Sequence, residues 1–292
     1  MRTLHLDSGR EMRGGQWQAL RLVEALPGEG VAATLLCRAG SPLFRRASAA
    51  GVDVRPLSLA RLLILARRYD LVHAHDARSH TLALAAGRPL VVARRVSFPI
   101  RSLWKYRRAA CLIAVSRAAA DVLIAAGVPA ARVAVVYDAV PLLDPAGPHE
   151  RVLAPALADA MKGADLVREA ARLAAVQVDF ADDFAAALGT AAVFLYITRS
   201  EGLGSGALLA MSAAVPVIAS AVGGLPEVIV DGETGLLVPN SPPAIAAALR
   251  RLLDDPALAR AMGASARHSV EMRFSIPRMV RDTIGVYRKV LA

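Results

Sequence analysis

Short, almost uninterrupted apolar runs recur along the whole sequence, and each is followed by a stretch with helical periodicity. The runs predicted as strands are 2–6, 31–37, 52–56, 71–75, 90–94, 111–115, 133–137, 151–154, 176–180, 192–197, 215–219 and 235–238. The helices predicted between and after them include 15–26, 101–108, 116–126, 163–175, 183–189, 205–213 and 276–291. Strands that are apolar on both faces belong to parallel sheets covered by helices. The pattern therefore predicts an α/β protein with two doubly wound, Rossmann-like domains.

A proline-rich segment and an uneven charge distribution mark the division between these domains. Residues 141–150 contain three prolines and lack periodicity, which predicts a linker. Residues 1–148 hold 21 Lys and Arg against 10 Asp and Glu, whereas residues 149–292 hold 14 against 15. A basic first half favours an anionic partner such as lipid, nucleic acid or an acidic substrate. Solvated arginine-rich faces are the alternative.

Several classes of protein are poorly supported by the composition. Hydrophobic residues make up 55% of the chain, so disorder is not expected. Cys37 and Cys111 stand in apolar runs without a CxxC pattern, which predicts reduced thiols in a cytosolic protein. The first ten residues lack a long apolar region, and we expect no signal peptide. The uncharged run 202–226 is long enough to be considered as a transmembrane helix, but Pro216 and the pair Gly223 and Gly224 interrupt it. We therefore predict a buried helix, a strand and a glycine turn there instead.

Two glycines, Gly14 and Gly15, follow the first predicted strand and precede an amphipathic predicted helix. Glycine lets the backbone approach a ligand closely, and the free amides of a helix N-terminus bind anions. The pair does not form a GxGxxG pattern, so a dinucleotide site is poorly supported. The two glycines form either an anion-binding turn or an ordinary one.

A histidine-rich segment, DLVHAHDARSH, ends the predicted strand 71–75. We expect His73 and His75 to point to opposite faces of this strand, where they cannot share a metal ion, and we predict no metal site. From the residues alone, the interpretation that remains is a histidine satisfied within the core or at its rim.

Basic and aromatic side chains are interleaved between residues 88 and 108. They are Arg88, Arg94, Arg95, Phe98, Arg101, Trp104, Lys105, Tyr106, Arg107 and Arg108. This density suits a membrane interface or stacking on nucleic acid, and a solvated helix face is the alternative. No nucleic-acid-binding motif accompanies the segment, so we consider nucleic acid an unlikely partner.

The segment 199–238 reads RSEGLGSGALLAMSAAVPVIASAVGGLPEVIVDGETGLLV. It resembles the donor-binding core of the family-4 retaining glycosyltransferases, which have the GT-B fold of two Rossmann-like domains facing across a cleft. Glu201 stands at the carboxyl end of a predicted strand, where open α/β sheets bind ligands. A carboxylate there accepts hydrogen bonds from sugar hydroxyls. The family pattern is Glu, seven residues, Glu, but Leu209 stands at its second position.

The resemblance implies roles for further residues. It places Glu201, His75 and Arg95 at the catalytic centre. Arg94 and Arg95 stand in place of a histidine found in many members; an arginine cannot act as a base but can hold a phosphate. A similar DxVHxH segment ends a strand at the acceptor cleft of the family, so His75 or Asp76 would line the acceptor pocket. The implied donor-binding residues are Gly14, Gly15, Lys162, Arg199, Gly202, Leu203 and Gly204. The implied acceptor or membrane face comprises Arg94, Arg101, Trp104, Lys105, Arg107 and Arg108. Asp182 and Asp183 could face the nucleobase in that arrangement, but we favour helix N-caps.

The resemblance also implies an organisation and an activity. Residues 1–145 would form the acceptor-side domain, 146–275 the donor nucleotide-sugar domain, and 276–292 a helix crossing back to the first domain. The implied enzyme is a hexosyltransferase that moves a sugar, with retention, from a nucleotide-sugar to a glycan or lipid-linked acceptor of the cell envelope or an exopolysaccharide. No metal or other cofactor is implied, and the expected location is cytoplasmic or peripheral at the inner face of the membrane. A non-catalytic nucleotide-sugar or glycan binding module is the alternative, because Leu209 and Leu157 replace polar residues of the family.

Overall fold

The computed structural model describes residues 1–100, 103–144, 151–156 and 163–292. The chain divides into unit 1, formed by Met1–Asp138 with Ile276–Ala292, and unit 2, formed by Ala139–Ser275. This division precedes the boundary placed at residue 145, because the Val140 amide already donates to the Phe274 carbonyl within unit 2 at 3.2 Å. Most of the predicted linker, 145–150, lies outside the described residues.

Unit 1 contains a parallel sheet of seven strands in the order β3-β2-β1-β4-β5-β6-β7. Its strands are β1 (Arg2–Asp7), β2 (Ala32–Cys37), β3 (Asp53–Pro56), β4 (Leu71–Ala74), β5 (Leu90–Arg94), β6 (Cys111–Ala114) and β7 (Val133–Val135). β1, β4, β5 and β6 are buried along most of their lengths, as the apolar runs predict. The strand order reverses between β1 and β4, and such a reversal marks the usual ligand site of an open sheet.

Six α-helices in the described part of the chain belong to unit 1. They are α1 (Gly14–Ala25), α2 (Pro42–Ala49), α3 (Leu59–Ala66), α4 (Ala77–Ala83), α5 (Arg117–Ala125) and α12 (Ile276–Leu291). Four of them begin at a side chain that accepts a hydrogen bond from a first-turn amide: Ser41, Ser58, Asp76 and Ser116. α12 packs against α1 and carries the fully buried Tyr287. The last helix therefore completes the core of the first unit.

Unit 2 contains a parallel sheet of five strands in the order β12-β11-β10-β8-β9. The strands are β8 (Arg151–Pro155), β9 (Val178–Ala181), β10 (Ala191–Tyr196), β11 (Val217–Ser220) and β12 (Leu236–Val238). The helices are α6 (Ala164–Ala174), α7 (Phe184–Ala187), α8 (Ser205–Ser212), α9 (Leu225–Val228), α10 (Pro242–Asp254) and α11 (Pro256–Arg273). Val193, Leu195, Ile218 and Leu249 lie in its core. Two Rossmann-like α/β units confirm the predicted fold class.

Charge separates the two units more sharply than the two halves of the sequence. Unit 1 holds 25 Lys and Arg against 10 Asp and Glu, a net charge of +15, and unit 2 holds 10 against 15, a net charge of −5. The terminal segment Ile276–Ala292 adds to this contrast because it contributes four basic residues and one acidic residue to unit 1. An anionic partner is therefore attracted to unit 1 over distances comparable with the Debye length.

Local structure departs from the sequence-based prediction at 101–108. The described part of this segment contains a short 3-10 turn, Tyr106–Arg108, in place of the α-helix we predicted. Long-range contacts hold it: the Tyr106 ring packs edge-on against His80, and the Lys105 carbonyl lies 3.1 Å from His80 Nε2. Among the helices in the described ranges, none combines the length and the apolar character needed to cross a bilayer.

Candidate functional site

The carboxyl ends of β1 and β4 bring the candidate residues of unit 1 together. Asp7 ends β1 and is fully buried. Its carboxylate accepts hydrogen bonds from Gln16 Nε2 at 3.0 Å and from the Gly9 amide at 2.8 Å. Gln16 belongs to the first turn of α1, which begins at Gly14, one residue before the predicted start. These contacts fasten the N-terminus of α1 to the end of β1.

Burial raises the pKa of Asp7 to about 6, with a smaller contribution from the nearby carboxylate of Asp76. Hydrogen bonds from Gly9 and Gln16 and the charge of Arg95 act in the opposite direction. Asp76 behaves differently, because hydrogen bonds from Ser79 and Ser8 outweigh the effect of burial and hold its pKa below the usual range. Asp76 caps α4 through the amides of residues 78 and 79. Asp76 is therefore a structural anchor of this site, ionised at neutral pH.

Arg95 lies just beyond β5 and joins three parts of unit 1. Its Nε donates to Asp138 Oδ1 at 3.2 Å, and one terminal nitrogen donates to His75 Nδ1 at 3.3 Å. The two ion-paired side chains are only 14% and 11% exposed. A Cβ added to Gly15 would lie 3.7 Å from Arg95 Cδ. The structure thus brings together Gly15, which the resemblance implies is a donor-binding residue, and His75 and Arg95, which it implies are catalytic.

The hydrogen bonds around Arg95 fix the proton positions of two histidines. Arginine only donates, so His75 Nδ1 accepts and its proton resides on Nε2. That nitrogen lies 3.0 Å from His5 Nδ1, which must accept, and His5 Nε2 then donates to the Thr3 hydroxyl at 3.0 Å. Burial lowers the pKa of His5 to about 3 and that of His75 well below 6.5. Both rings are therefore neutral, and His75 has both nitrogens engaged within unit 1.

The expected orientation of His73 and His75 is wrong. Side chains two residues apart on a strand share a face, and these ring centroids are 4.2 Å apart. With His5 they form a cluster in which one nitrogen of each ring lies within 4.8 Å of the others. A cation bound at His75 Nε2 would require an imidazolate, because Nδ1 already accepts from Arg95. The hydrogen-bond directions therefore fit a neutral polar cluster better than a cation site.

The interleaved basic segment combines buried anchors with exposed side chains. Arg94 donates to the Tyr106 hydroxyl at 3.2 Å and to the Phe98 carbonyl, and Lys105 Nζ donates to the Ala77 carbonyl at 3.2 Å. Phe98 and Trp104 are 51% and 49% exposed. Arg107 and Arg108, which follow them in the sequence, are also exposed. The Arg108 guanidinium lies 5.1 Å from the Trp104 ring centre. Arg101 lies outside the described residues.

In unit 2, Glu201 lies at the carboxyl end of β10 and is half-buried. Its Oε2 accepts a hydrogen bond from the Tyr196 hydroxyl at 2.7 Å, and its Oε1 accepts from the Gly202 amide at 3.1 Å. A Cβ at Gly223, whose φ is +56°, would overlap the Glu201 carbonyl. The glycine turn after β11 is therefore required for the close packing of the Glu201 loop.

Side chains from the ends of neighbouring strands anchor the same loop. The Thr198 amide donates to Ser220 Oγ at 2.8 Å, and Asn240 Nδ2 donates to the Thr198 carbonyl at 3.0 Å. Gly204, with φ of +106°, precedes α8, and a Cβ there would lie 2.5 Å from Leu225 Cδ2. Leu203 is buried. Gly202, Leu203 and Gly204 thus shape the loop through their backbone and packing.

The remaining donor-side residues differ in what the structure places around them. Arg199 forms a two-point ion pair with Asp165 in the first turn of α6, with a shorter N–O distance of 2.7 Å. This pair holds the pKa of Asp165 below its usual range. Asp183 caps α7 through the Ala186 amide at 3.3 Å, which confirms the favoured interpretation for this one of the two aspartates. Lys162 and Leu157 lie outside the described residues, and Leu209 is half-buried on α8.

Sequence reasoning missed Asp7, Asp138 and Tyr196. Asp7 carried a usable signal, since a single carboxylate ending an apolar strand marks the ligand-binding edge of a sheet. Tyr196 carried a weaker one, as the last residue of the strand before Glu201. Asp138 carried none, because its partner Arg95 is 43 residues away and the surrounding segment has no regular period.

Two family models match the chain in tandem. The model described as Glycosyltransferase Family 4 matches residues 12–142, and that described as Glycosyl transferases group 1 matches residues 120–255. The alpha-maltose-1-phosphate synthase of Mycolicibacterium smegmatis is 41% identical over 112 residues, covering 36% of this chain and 29% of that protein. The D-inositol 3-phosphate glycosyltransferase of Kineococcus radiotolerans is 39% identical over 146 residues, covering 46% and 32%. The chain thus spans about a third of the length of these curated relatives.

Solved structures resemble the chain over nearly its whole length. Anabaena HepE, solved in complex with UDP-glucose, superposes with a TM-score of 0.87 at 17% identity, covering 99% of this chain and 100% of that one. A sucrose-phosphate synthase from Thermosynechococcus elongatus superposes with a TM-score of 0.81 at 20% identity, covering 99% and 98%. Identities this low show a shared fold. With the two matched family models, they establish that this chain belongs to the group 1, family-4 glycosyltransferases of the GT-B fold.

Proposed function

We propose that the protein transfers a hexose from a nucleotide-sugar donor to a glycan or lipid-linked acceptor, with retention of configuration. The observation that carries this proposal is the Glu201 carboxylate at the carboxyl end of β10, held by the Tyr196 hydroxyl and the Gly202 amide. A carboxylate fixed in this way accepts hydrogen bonds from the hydroxyls of a bound sugar. UDP-glucose is the first donor to test, because it is bound in the HepE structure.

We propose that donor phosphates are met by cationic and backbone groups. In unit 1 the amides at the N-terminus of α1, which begins at Gly14, and the adjacent Arg95 guanidinium form a surrounding suited to an anion. Lys162 is proposed to contribute a point charge to the diphosphate. Within unit 1, the neutral His75 then acts as a positioning residue for Arg95, because its own nitrogens are both engaged.

Replacing Glu201 with glutamine tests the donor-binding proposal. The amide nitrogen of glutamine cannot accept a hydrogen bond, so donor affinity should fall by about ten- to a hundredfold, the equivalent of about 1.5–3 kcal/mol for a hydrogen bond to a charged group. Isothermal titration with UDP-glucose, other nucleotide-sugars and the free nucleotides measures the loss.

The matched control for this experiment is Glu233→Gln, which neutralises an exposed carboxylate of the same unit. Its donor affinity should equal that of the wild type. Failure of the wild type to bind any nucleotide-sugar at millimolar concentration would overturn the proposed function. Donor hydrolysis or transfer by the wild type, absent in Glu201→Gln, would exclude the purely binding alternative.

We further propose that the acceptor is a cell-envelope or exopolysaccharide glycan presented at an anionic membrane surface. The net charge of +15 on unit 1 supports this proposal, as do the exposed side chains Phe98, Trp104, Arg107 and Arg108. Aromatic rings suit the interfacial region of a bilayer, and arginines are attracted to anionic headgroups. Each basic residue near such a surface contributes about 1 kcal/mol to binding.

Charge reversal tests the membrane proposal. Arg107→Glu combined with Arg108→Glu should reduce co-sedimentation with phosphatidylglycerol vesicles by more than tenfold, because two attractive charges of about 1 kcal/mol each become repulsive. The control Arg251→Glu with Arg260→Glu makes the same charge change at exposed positions of unit 2 and should leave sedimentation unchanged. Equal losses in both variants would attribute the effect to net charge and contradict the proposed membrane face.

A further inference from the structure

Glu201 is held by a buried tyrosine from the strand that precedes it. Tyr196 is the last residue of β10 and is 8% exposed. Its hydroxyl donates to Glu201 Oε2 at 2.7 Å, a short distance that is typical of a hydrogen bond to a charged acceptor. Oε1 is bound by the Gly202 amide on the other side of the carboxylate. The two donors leave the carboxylate little rotational freedom.

The helix that follows makes room for the tyrosine ring. Gly206 lies near the start of α8, and a Cβ at this position would lie 2.7 Å from Tyr196 Cε2 and 3.4 Å from Phe184 Cζ. The ring also stacks against Phe194, with centroids 6.0 Å apart. Apart from proline, glycine has the lowest helix propensity of the amino acids. α8 therefore has a residue of low helix propensity at the position where a larger side chain would displace Tyr196.

The proton of this hydrogen bond stays on tyrosine. Burial raises the pKa of Tyr196 well above 10, and the charge of Glu201 together with the hydrogen bond itself raises it further. The phenol therefore donates, and the carboxylate accepts, throughout the physiological pH range. Since a phenol cannot donate twice, Oε2 has a fixed partner and direction.

We propose that Tyr196 is a positioning residue that orients the Glu201 carboxylate toward the hydroxyls of the donor sugar. This inference rests on the proposed function. The hydroxyl proton of Tyr196 is committed to Oε2, so it is not available to donate to the sugar. The Glu201 carboxylate, oriented in this way, then accepts from sugar hydroxyls. The oriented carboxylate favours nucleotide-sugars whose sugar has a hydroxyl group within its reach, and it disfavours the corresponding deoxy sugars.

A thermodynamic cycle tests the pairing without any ligand. Tyr196→Phe removes only the hydroxyl, and Glu201→Gln removes the charge that it binds. If the hydroxyl holds the carboxylate, the double variant will be less destabilised in urea unfolding than the sum of the two single variants. Additive losses would overturn the proposal, because they would mean that the two groups do not interact in solution.

Activity measurements test the positioning role. Tyr196→Phe should lower kcat/KM for the donor about tenfold in the wild-type background and leave it unchanged in the Glu201→Gln background. Tyr69→Phe is the matched control, since it deletes a hydroxyl bonded to Thr34 far from this loop in the sequence and in the other unit. Equal loss in both backgrounds would indicate general damage to the fold and contradict the role.

A second variant perturbs the position of Tyr196 through α8, the helix that packs against its ring. Gly206→Ala should lower donor kcat/KM by crowding the tyrosine ring, but in a Tyr196→Val background it should have no further effect. Persistent harm in that background would contradict the role assigned to Gly206. If wild type binds no nucleotide-sugar, the proposed function fails, while the unfolding cycle still decides whether Tyr196 holds Glu201.

Discussion

Replacing Arg95 with methionine is expected to lower the free energy of unfolding by about 3–5 kcal/mol, measured by urea denaturation at pH 7. This is the usual loss when one member of a buried ion pair is removed, because the other charge remains buried without compensation. Here the remaining group is the Asp138 carboxylate, which is 11% exposed and keeps the smaller electrostatic contribution of Arg21. In the same variant His75 Nδ1 loses the hydrogen bond from Arg95. The series of hydrogen bonds that continues through His5 is then interrupted at this end.

The partner substitution separates charge from packing. Arg95→Met with Asp138→Leu removes both charges, and buried pairs replaced by apolar residues recover much or all of the stability. The double variant should therefore be more stable than Arg95→Met alone. The exposed Arg38→Met serves as the control and should change stability by less than about 0.5 kcal/mol. A double variant as unstable as the single one would mean that shape, rather than charge, governs the site.

The loss in Arg95→Met should also depend on pH. Burial raises the pKa of Asp138, while Arg95 acts to lower it, so removing the arginine raises the pKa further. A carboxyl group whose folded pKa is raised favours the folded state at low pH and disfavours it as pH increases through that value. The destabilisation should therefore shrink as the pH falls from 7 toward 4.

Asp7 is expected to make the wild-type protein about 3 kcal/mol less stable at pH 7 than at pH 3.5, relative to Asp7→Asn. The pKa of Asp7 is raised from 3.8 to about 6 in the folded protein, and each unit of difference corresponds to about 1.4 kcal/mol. The folded state holds the proton more tightly, so this contribution is present below pH 3.8 and is lost as pH rises through 6.

The comparison with Asp7→Asn isolates this one group. Carboxylates that do not interact with Asp7 titrate equally in both proteins, and they cancel in the difference between the two unfolding free energies; the coupling between Asp7 and Asp76 is the part that does not cancel. Any altered contact of the asparagine amide with Gln16 adds an offset that does not change with pH. A difference that stays constant from pH 3.5 to 7.5 would contradict the raised pKa, and a difference that grows with falling pH would reverse its direction.

The elements of both sheets are predictable because their signals are local. The apolar runs, the N-cap at Ser116 and the turn at Gly223 and Gly224 each depend on a few neighbouring residues. Glu201 is a candidate for the same reason, since a segment that resembles a known family surrounds it. Periodicity and turn chemistry therefore suffice for two Rossmann-like units.

The chemistry of the site in unit 1 depends on contacts between distant residues. Arg95 and Asp138 are 43 residues apart, and His5 and His75 are 70 apart. No local sequence pattern predicts such pairs. The position of the proton on His75 follows only from Arg95, which donates a hydrogen bond to its Nδ1. The predicted helix over 101–108 failed for a related reason, because His80 and Arg94 bind that segment from elsewhere in unit 1.

The return of α12 to unit 1 affects the order in which the units fold during translation. Domains usually fold in the order in which they are synthesised. Here unit 2 is fully synthesised at residue 275, whereas unit 1 still lacks Ile276–Ala292. Until that segment leaves the ribosome, His73 lacks the Tyr287 hydroxyl that lies 2.7 Å from its Nδ1 in the folded protein. The N-terminal unit is therefore the last to be completed, and a fragment ending at residue 138 would expose the surface that α12 covers on α1.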